Sequence, residues 1–235
     1  WRAAAGQLQH AFRAPCNGAY PVVFGVHGQL LANSSLDHTI YVWSVKSGTQ
    51  LQRLAGHTDK IYKLAFSADG RQLASSSCDG TVCLWDIEHG QRLHTLYEQA
   101  DAITALAFRS DGALLAGGGG GQLICLWDTQ SGQIVSTLHG HTREVECVAF
   151  SPDDQWLASG AHDGNIRLWE LASGQCVHTL QAGSQIIRAV AFHPAGHILA
   201  SGSANRTVRL WDRARGEVLH TLQGHKYEIN SLSFS

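Results

Sequence analysis

Residues 56–86 read GHTDKIYKLAFSADGRQLASSSCDGTVCLWD, and this stretch decides the fold. Ile61 to Phe66 is a short apolar strand. Ser67 to Gly70 is a turn, with glycine where the backbone must tolerate positive φ. Leu73 to Ser77 is a second strand, built mainly of small residues. Asp79-Gly80 is a tight hairpin signal. Thr81 to Trp85 is a third strand, alternating and β-branched. Asp86 to Gln91 carries another glycine turn, and Arg92 to Leu96 is a fourth strand. Four short strands joined by tight turns form one antiparallel sheet.

The same unit recurs along the whole chain. Tryptophan stands at Trp1, Trp43, Trp85, Trp127, Trp169 and Trp211, always 42 residues apart. Phe24, Phe66, Phe108, Phe150, Phe192 and Phe234 keep the same spacing. So do Phe12, Leu54, Leu96, Leu138, Leu180 and Leu222. A period of ~40–45 residues points to propeller blades. A four-stranded sheet exposes two apolar faces, and a neighbouring blade on each side covers them.

Gly56-His57, Asp79-Gly80 and Trp85-Asp86 resemble the WD-repeat β-propeller family across nearly the whole chain. The expected fold is all-β: one WD-repeat β-propeller array over residues 1–235 with four-stranded antiparallel blades. Five complete blades fall at about 19–54, 61–96, 103–138, 145–180 and 187–222. Partial blade strands are expected at 1–12 and 228–235, so the ends do not close a ring of ideal blades. Trp1 at the start and the absence of methionine suggest a piece of something longer.

The resemblance implies a hydrogen-bonded chain inside a blade: His57, Ser75, Asp79 and Trp85 in one, His141, Ser159, Asp163 and Trp169 in another. Ser77 shares a strand face with Ser75 and is the alternative in the first set; Ala161 removes that alternative in the second. A buried carboxylate needs donors, and an imidazole and an indole N–H can pass bonds along a chain. The histidine position is Ala14-Pro15, Glu98-Gln99 and Ala182-Gly183 in the other blades. The aspartate position becomes Gly121 in the third and Asn205 in the fifth, so the first, third and fifth networks are broken.

Composition excludes several functions. Net charge is −2 with a sequence pI near 6.7, without the basic face of a nucleic-acid binder. No apolar run approaches the ~20 residues of a membrane-spanning helix. Six cysteines carry no CxxC pair and read as free thiols of a reducing, cytoplasmic compartment. Fourteen histidines invite a metal, but most recur once per blade and point in different directions, so no shared ion and no cofactor is expected. Gly117 to Gly121 lacks the Lys-Ser/Thr of a phosphate loop and reads as a floppy hairpin edge. His57, Ser75 and Asp79 have catalytic residue types, yet their recurrence in a second blade between buried strands favours a structural network. No catalytic site is expected. The arginines at 206, 209, 213 and 215 read as a solvated strand and turn.

The resemblance places partner binding at the central mouth. The residue opening each inner strand lies there: Tyr20, Tyr62, Thr104, Glu146, Arg188 and Asn230. Turn residues such as Asp59 and Arg143 lie beside them, with His162 from the hairpin. The expected role is a non-catalytic scaffold that binds a protein or peptide, with self-association possible through open blade edges. The alternative is a ligand-sensing, autoinhibitory domain of a larger NB-ARC-type signalling ATPase.

Overall fold

The computed structural model describes residues 11–12, 19–25, 28–97 and 102–234. They form twenty strands, β1–β20, in five four-stranded antiparallel sheets, and no helix occurs among the described residues. Each sheet is one repeat with its strands in chain order. Blade 2 contains β5 (Ile61–Phe66), β6 (Gln72–Ser77), β7 (Thr81–Asp86) and β8 (Gln91–Tyr97). The inner strands of the other blades are β1 (Ala19–Gly25), β9 (Ile103–Phe108), β13 (Val145–Phe150) and β17 (Ile187–Phe192). These five inner strands lie side by side in that order, and the sheets do not close into a ring.

The core lies between blades. One apolar cluster joins Ala32, Ile40, Val42 and Leu54 of blade 1 to Ile61, Leu64, Leu73 and Trp85 of blade 2. Three equivalent clusters join each later pair of neighbours. Trp85, Trp127 and Trp169 are fully buried, and Phe66 packs toward blade 1, hard against the Gly25 backbone. Burying a side chain of this size contributes ~1.5–3 kcal/mol, so each layer is held by a handful of residues.

Two irregularities repeat in register. The inner strands of blades 2 to 5 slip by one residue against their neighbours, at Tyr62, Thr104, Glu146 and Arg188. A bulge leaves its extra residue unpaired and re-aims the side chain. A second slip lies on each outer strand opposite the tryptophan, for example between Leu84 and Trp85.

Two expectations change. The run from Gly117 to Gly119 is no floppy edge; it belongs to the buried strand β10 (Leu114–Gly119). A Cβ on Gly117 meets the Trp127 ring at 2.7 Å, one on Gly118 meets Val145 at 2.8 Å, and one on Gly119 meets the Ala102 carbonyl oxygen. Close packing, not turn formation, requires glycine there. The partial blade strand at 228–235 forms no ladder over residues 228–234, because no described strand stands beside it. It still lies on blade 5, with Ile229 buried and the Phe234 ring 5.1 Å from that of His193. Of the N-terminal partial blade, only Ala11 and Phe12 are described, and Phe12 packs 5.7 Å from the Trp43 ring. The rest of residues 1–12, Trp1 included, lies outside the described residues.

Candidate functional site: the propeller mouth and its supporting networks

The supporting networks come first, because they fix the hairpins around the mouth. In blade 2, the Trp85 indole N–H donates to Ser75 Oγ at 2.8 Å, and Ser75 Oγ lies 2.7 Å from His57 Nε2. His57 Nδ1 lies 2.9 Å from Asp79 Oδ2. The carboxylate can only accept, so Nδ1 carries the proton and Nε2 accepts from the serine. Thr58 N–H and Thr81 N–H also donate to Asp79, at 2.9 and 3.0 Å. Burial pushes the Asp79 carboxyl up, but these donors and the Thr81 hydroxyl outweigh it and hold it down at about 2. Ser77 is not in the chain; its hydroxyl donates to the Asp59 carbonyl at 3.0 Å.

Blade 4 repeats the geometry. Trp169 donates to Ser159 at 2.8 Å, Ser159 lies 2.7 Å from His141, and His141 lies 2.9 Å from Asp163. Blades 1 and 5 keep only part of it. In blade 1, Trp43 donates to Asn33 Oδ1 at 2.7 Å, and the Tyr41 hydroxyl donates to Asp37 at 3.1 Å. In blade 5, Trp211 donates to Ser201 at 2.8 Å, and the Arg209 guanidinium donates to the Ala182 carbonyl beside the missing imidazole. The inner half of the chain thus outlasts the loss of histidine.

At the mouth, Tyr62, Thr104, Glu146, Arg188 and Asn230 line one cavity of about 350 Å³ together with Lys63. A second cavity of about 160 Å³ shares Lys63, Arg188 and Asn230 and is otherwise walled mainly by small or apolar residues such as Ala105, Cys147 and Ala189. The bulges are the local cause. At Tyr62, Thr104, Glu146 and Arg188, each extra residue leaves the ladder and turns its side chain to the common opening. Tyr20 lies on β1, and its side chain is outside the described part.

The rim is a charged network. Arg188 Nε lies 2.8 Å from Glu228, and another guanidinium nitrogen lies 3.6 Å from Glu146 Oε1. Glu146 turns its other oxygen to His162 Nε2 at 3.0 Å, while His162 Nδ1 faces Glu144 at 3.7 Å. The Thr104 hydroxyl donates to the Val145 carbonyl at 2.7 Å. Lys60 sits 5.5 Å above the Tyr62 ring. The Tyr62 hydroxyl holds its proton more tightly than usual, chiefly through a hydrogen bond with Cys78, then burial and the charges of Cys78, Asp59 and Glu144. Asp59 and Arg143 are exposed on the turns beside the cavity and do not line it. The sequence reading missed Glu144, Glu228 and Lys63. Lys63 could have been found as the residue after the mouth position on the same inner strand.

Five antiparallel four-stranded blades around a shared mouth define a β-propeller array. The family description "WD domain, G-beta repeat" matches residues 48–86, 90–128, 132–170 and 174–212, and the chain belongs to that family. Its members act broadly as non-catalytic scaffolds for protein–protein interaction. Among solved structures, the chain is similar to the computationally designed Ika8 protein: 32% identity, TM-score 0.82, covering 93% of this chain and 65% of that one. It thus spans a little under two thirds of the designed protein's length. No curated protein matches it.

Proposed function

We propose that the mouth docks a protein or peptide partner and that the chain serves as a non-catalytic scaffold in the cytoplasm. One observation supports this most. Five residues at one repeat position converge on a single cavity as Tyr, Thr, Glu, Arg and Asn, while the packing positions around them stay Ile or Val, Leu, Phe and Trp. The site varies where the core does not, and it offers Tyr and Arg, the side chains that anchor interfaces. The role of a ligand-sensing, autoinhibitory domain in a larger NB-ARC-type signalling ATPase would use the same mouth.

The experiment is capture from lysate by this chain, with the captured protein then identified and its affinity measured. Tyr62→Ala combined with Arg188→Ala should weaken binding about thirtyfold or more, the value of a 2 kcal/mol anchor, at little cost in melting temperature. Unchanged affinity in the double variant, with loss on substituting the outer-strand His94 and His178, moves the binding face elsewhere.

A further inference from the structure

Glu144, Glu146 and His162 form a cluster in blade 4 that the scaffold reading does not use. One nitrogen of His162 and one oxygen from each glutamate all lie within 4.8 Å of one another. The backbone frames this set. Val145 pairs with Ala161 in the ladder, and the His162 N–H donates to the Glu144 carbonyl at 2.8 Å. The bulge at Glu146 then turns its carboxylate toward the imidazole. Other blades hold different residues at these three positions: Lys60, Tyr62 and Cys78; Ala102, Thr104 and Gly120; Ile186, Arg188 and Ala204. One blade alone carries a donor set suited to a metal.

Orientation points the same way. Arg188 pairs with two carboxylates, Glu146 and Glu228, while Glu144 faces His162. Among the described residues Lys63 pairs with none of them, although it lines the same cavity. Arg188 draws Glu146 Oε1 to itself and leaves Oε2 facing the histidine. Donors bound to one ion at ~2.0–2.2 Å stand ~3–3.5 Å apart; Glu146 stands 3.0 Å from His162 Nε2, and Glu144 stands 3.7 Å from the other nitrogen, Nδ1. One ion can take only one of these nitrogens, and one donor atom from each of the three side chains lies within 4.8 Å of the other two.

We infer that Glu144, Glu146 and His162 bind a divalent transition-metal ion such as Zn²⁺ at the rim of the mouth. One imidazole and two carboxylates suit Zn²⁺ among borderline ions, and they leave a position open for water or a ligand atom. This differs from an ion shared between blades, which the repeat geometry forbids. It does not depend on the mouth being the partner face.

The test titrates the chain with Zn²⁺ by calorimetry and with Co²⁺ by visible absorption. One equivalent should bind, and the cobalt spectrum should lack sulfur charge-transfer absorption, which separates this site from the free cysteines. His162→Ala and Glu146→Gln should each weaken binding about tenfold or more, with the far-UV spectrum and melting temperature unchanged. His94→Ala, on an outer strand, should leave it intact. Absence of saturable binding, or binding that survives His162→Ala, overturns the proposal and leaves His162 as an ion-pair partner of the two glutamates.

Discussion

Cys83 and Arg167 hold the same repeat position two blades apart, and they push their neighbouring histidines in opposite directions. Cys83 Sγ lies 4.0 Å from His57 Nδ1. Burial pulls the His57 imidazole down, but Cys83 and then Asp79 outweigh it, and its pKa stands above the ordinary 6.5. Burial also pulls His141 down. Asp163 opposes this, the Arg167 charge adds to it, and the pKa stands below 6.5. Two networks with the same bond lengths therefore titrate oppositely.

The consequence is a stability that depends on pH from two sides. His57 binds its proton more tightly when folded. Its contribution is full below the unfolded value near 6.5 and is lost as pH rises through the raised value. His141 binds its proton less tightly when folded. Its contribution is full above 6.5 and is lost as pH falls through the lowered value. Denaturant melts between about pH 5 and 8 should show the deficit of His141→Gln shrinking toward acid and that of His57→Gln shrinking toward base. Parallel pH profiles for the two variants contradict this assignment. Histidine ring NMR on Cys83→Ala should show the His57 titration moving down.

Removing a network carboxylate should cost most where a histidine depends on it. The Asp163 side chain is 4% exposed and holds His141, whereas Asp37 is exposed and holds only the Tyr41 hydroxyl and a local turn. Asp163→Ala strands a buried imidazole donor and should cost about 1–3 kcal/mol. Asp37→Ala should cost clearly less. Equal shifts in urea midpoints for the two would show that the blade 1 aspartate is just as deeply committed.

Gly117 should not tolerate a methyl group. Its Cβ meets the Trp127 ring at 2.7 Å and Leu106 at 3.2 Å, all within a buried layer. Gly117→Ala should destabilise by ~1–3 kcal/mol through overpacking. Gly121→Ala, whose nearest neighbour is Leu123 at 3.9 Å, should be near neutral. Thermal melts of the two variants read the difference directly.

The end faces should make the chain associate. Leu222 is 51% exposed, while Leu54, Leu96, Leu138 and Leu180 at the same repeat position are 1–3% exposed. Val22 and Phe24 are similarly uncovered on blade 1, at 53% and 60%. Uncovered apolar faces of this kind are association sites. Light scattering of the 235-residue chain should show mass rising with concentration, and Leu222→Asp should reduce the rise. A constant monomer mass at high concentration contradicts it.

The strands and their turns were legible because their causes are local. Alternation in Thr81–Trp85 and the Asp79-Gly80 turn need no distant contact. The mouth position was legible only as a row of unlike residues at one repeat position. That Tyr62, Thr104, Glu146 and Arg188 leave the ladder depends on pairing with the next strand, which no single window contains. The Gly117–Gly119 run was misread for the same reason: the atoms that exclude a side chain come from Trp127, Val145 and Ala102.

The sequence by itself determined the repeat, the four strands of each blade and the residues that fill the layers between blades, because a 42-residue period copies one local solution to burying apolar surface. Tertiary structure alone decided which serine, Ser75 and not Ser77, joins the histidine, since both share a strand face and only the position of the imidazole separates them. It alone decided that Glu144, Glu146 and His162 meet. They come together through strand register and a bulge, and no spacing along the chain encodes how far a bulge turns a side chain.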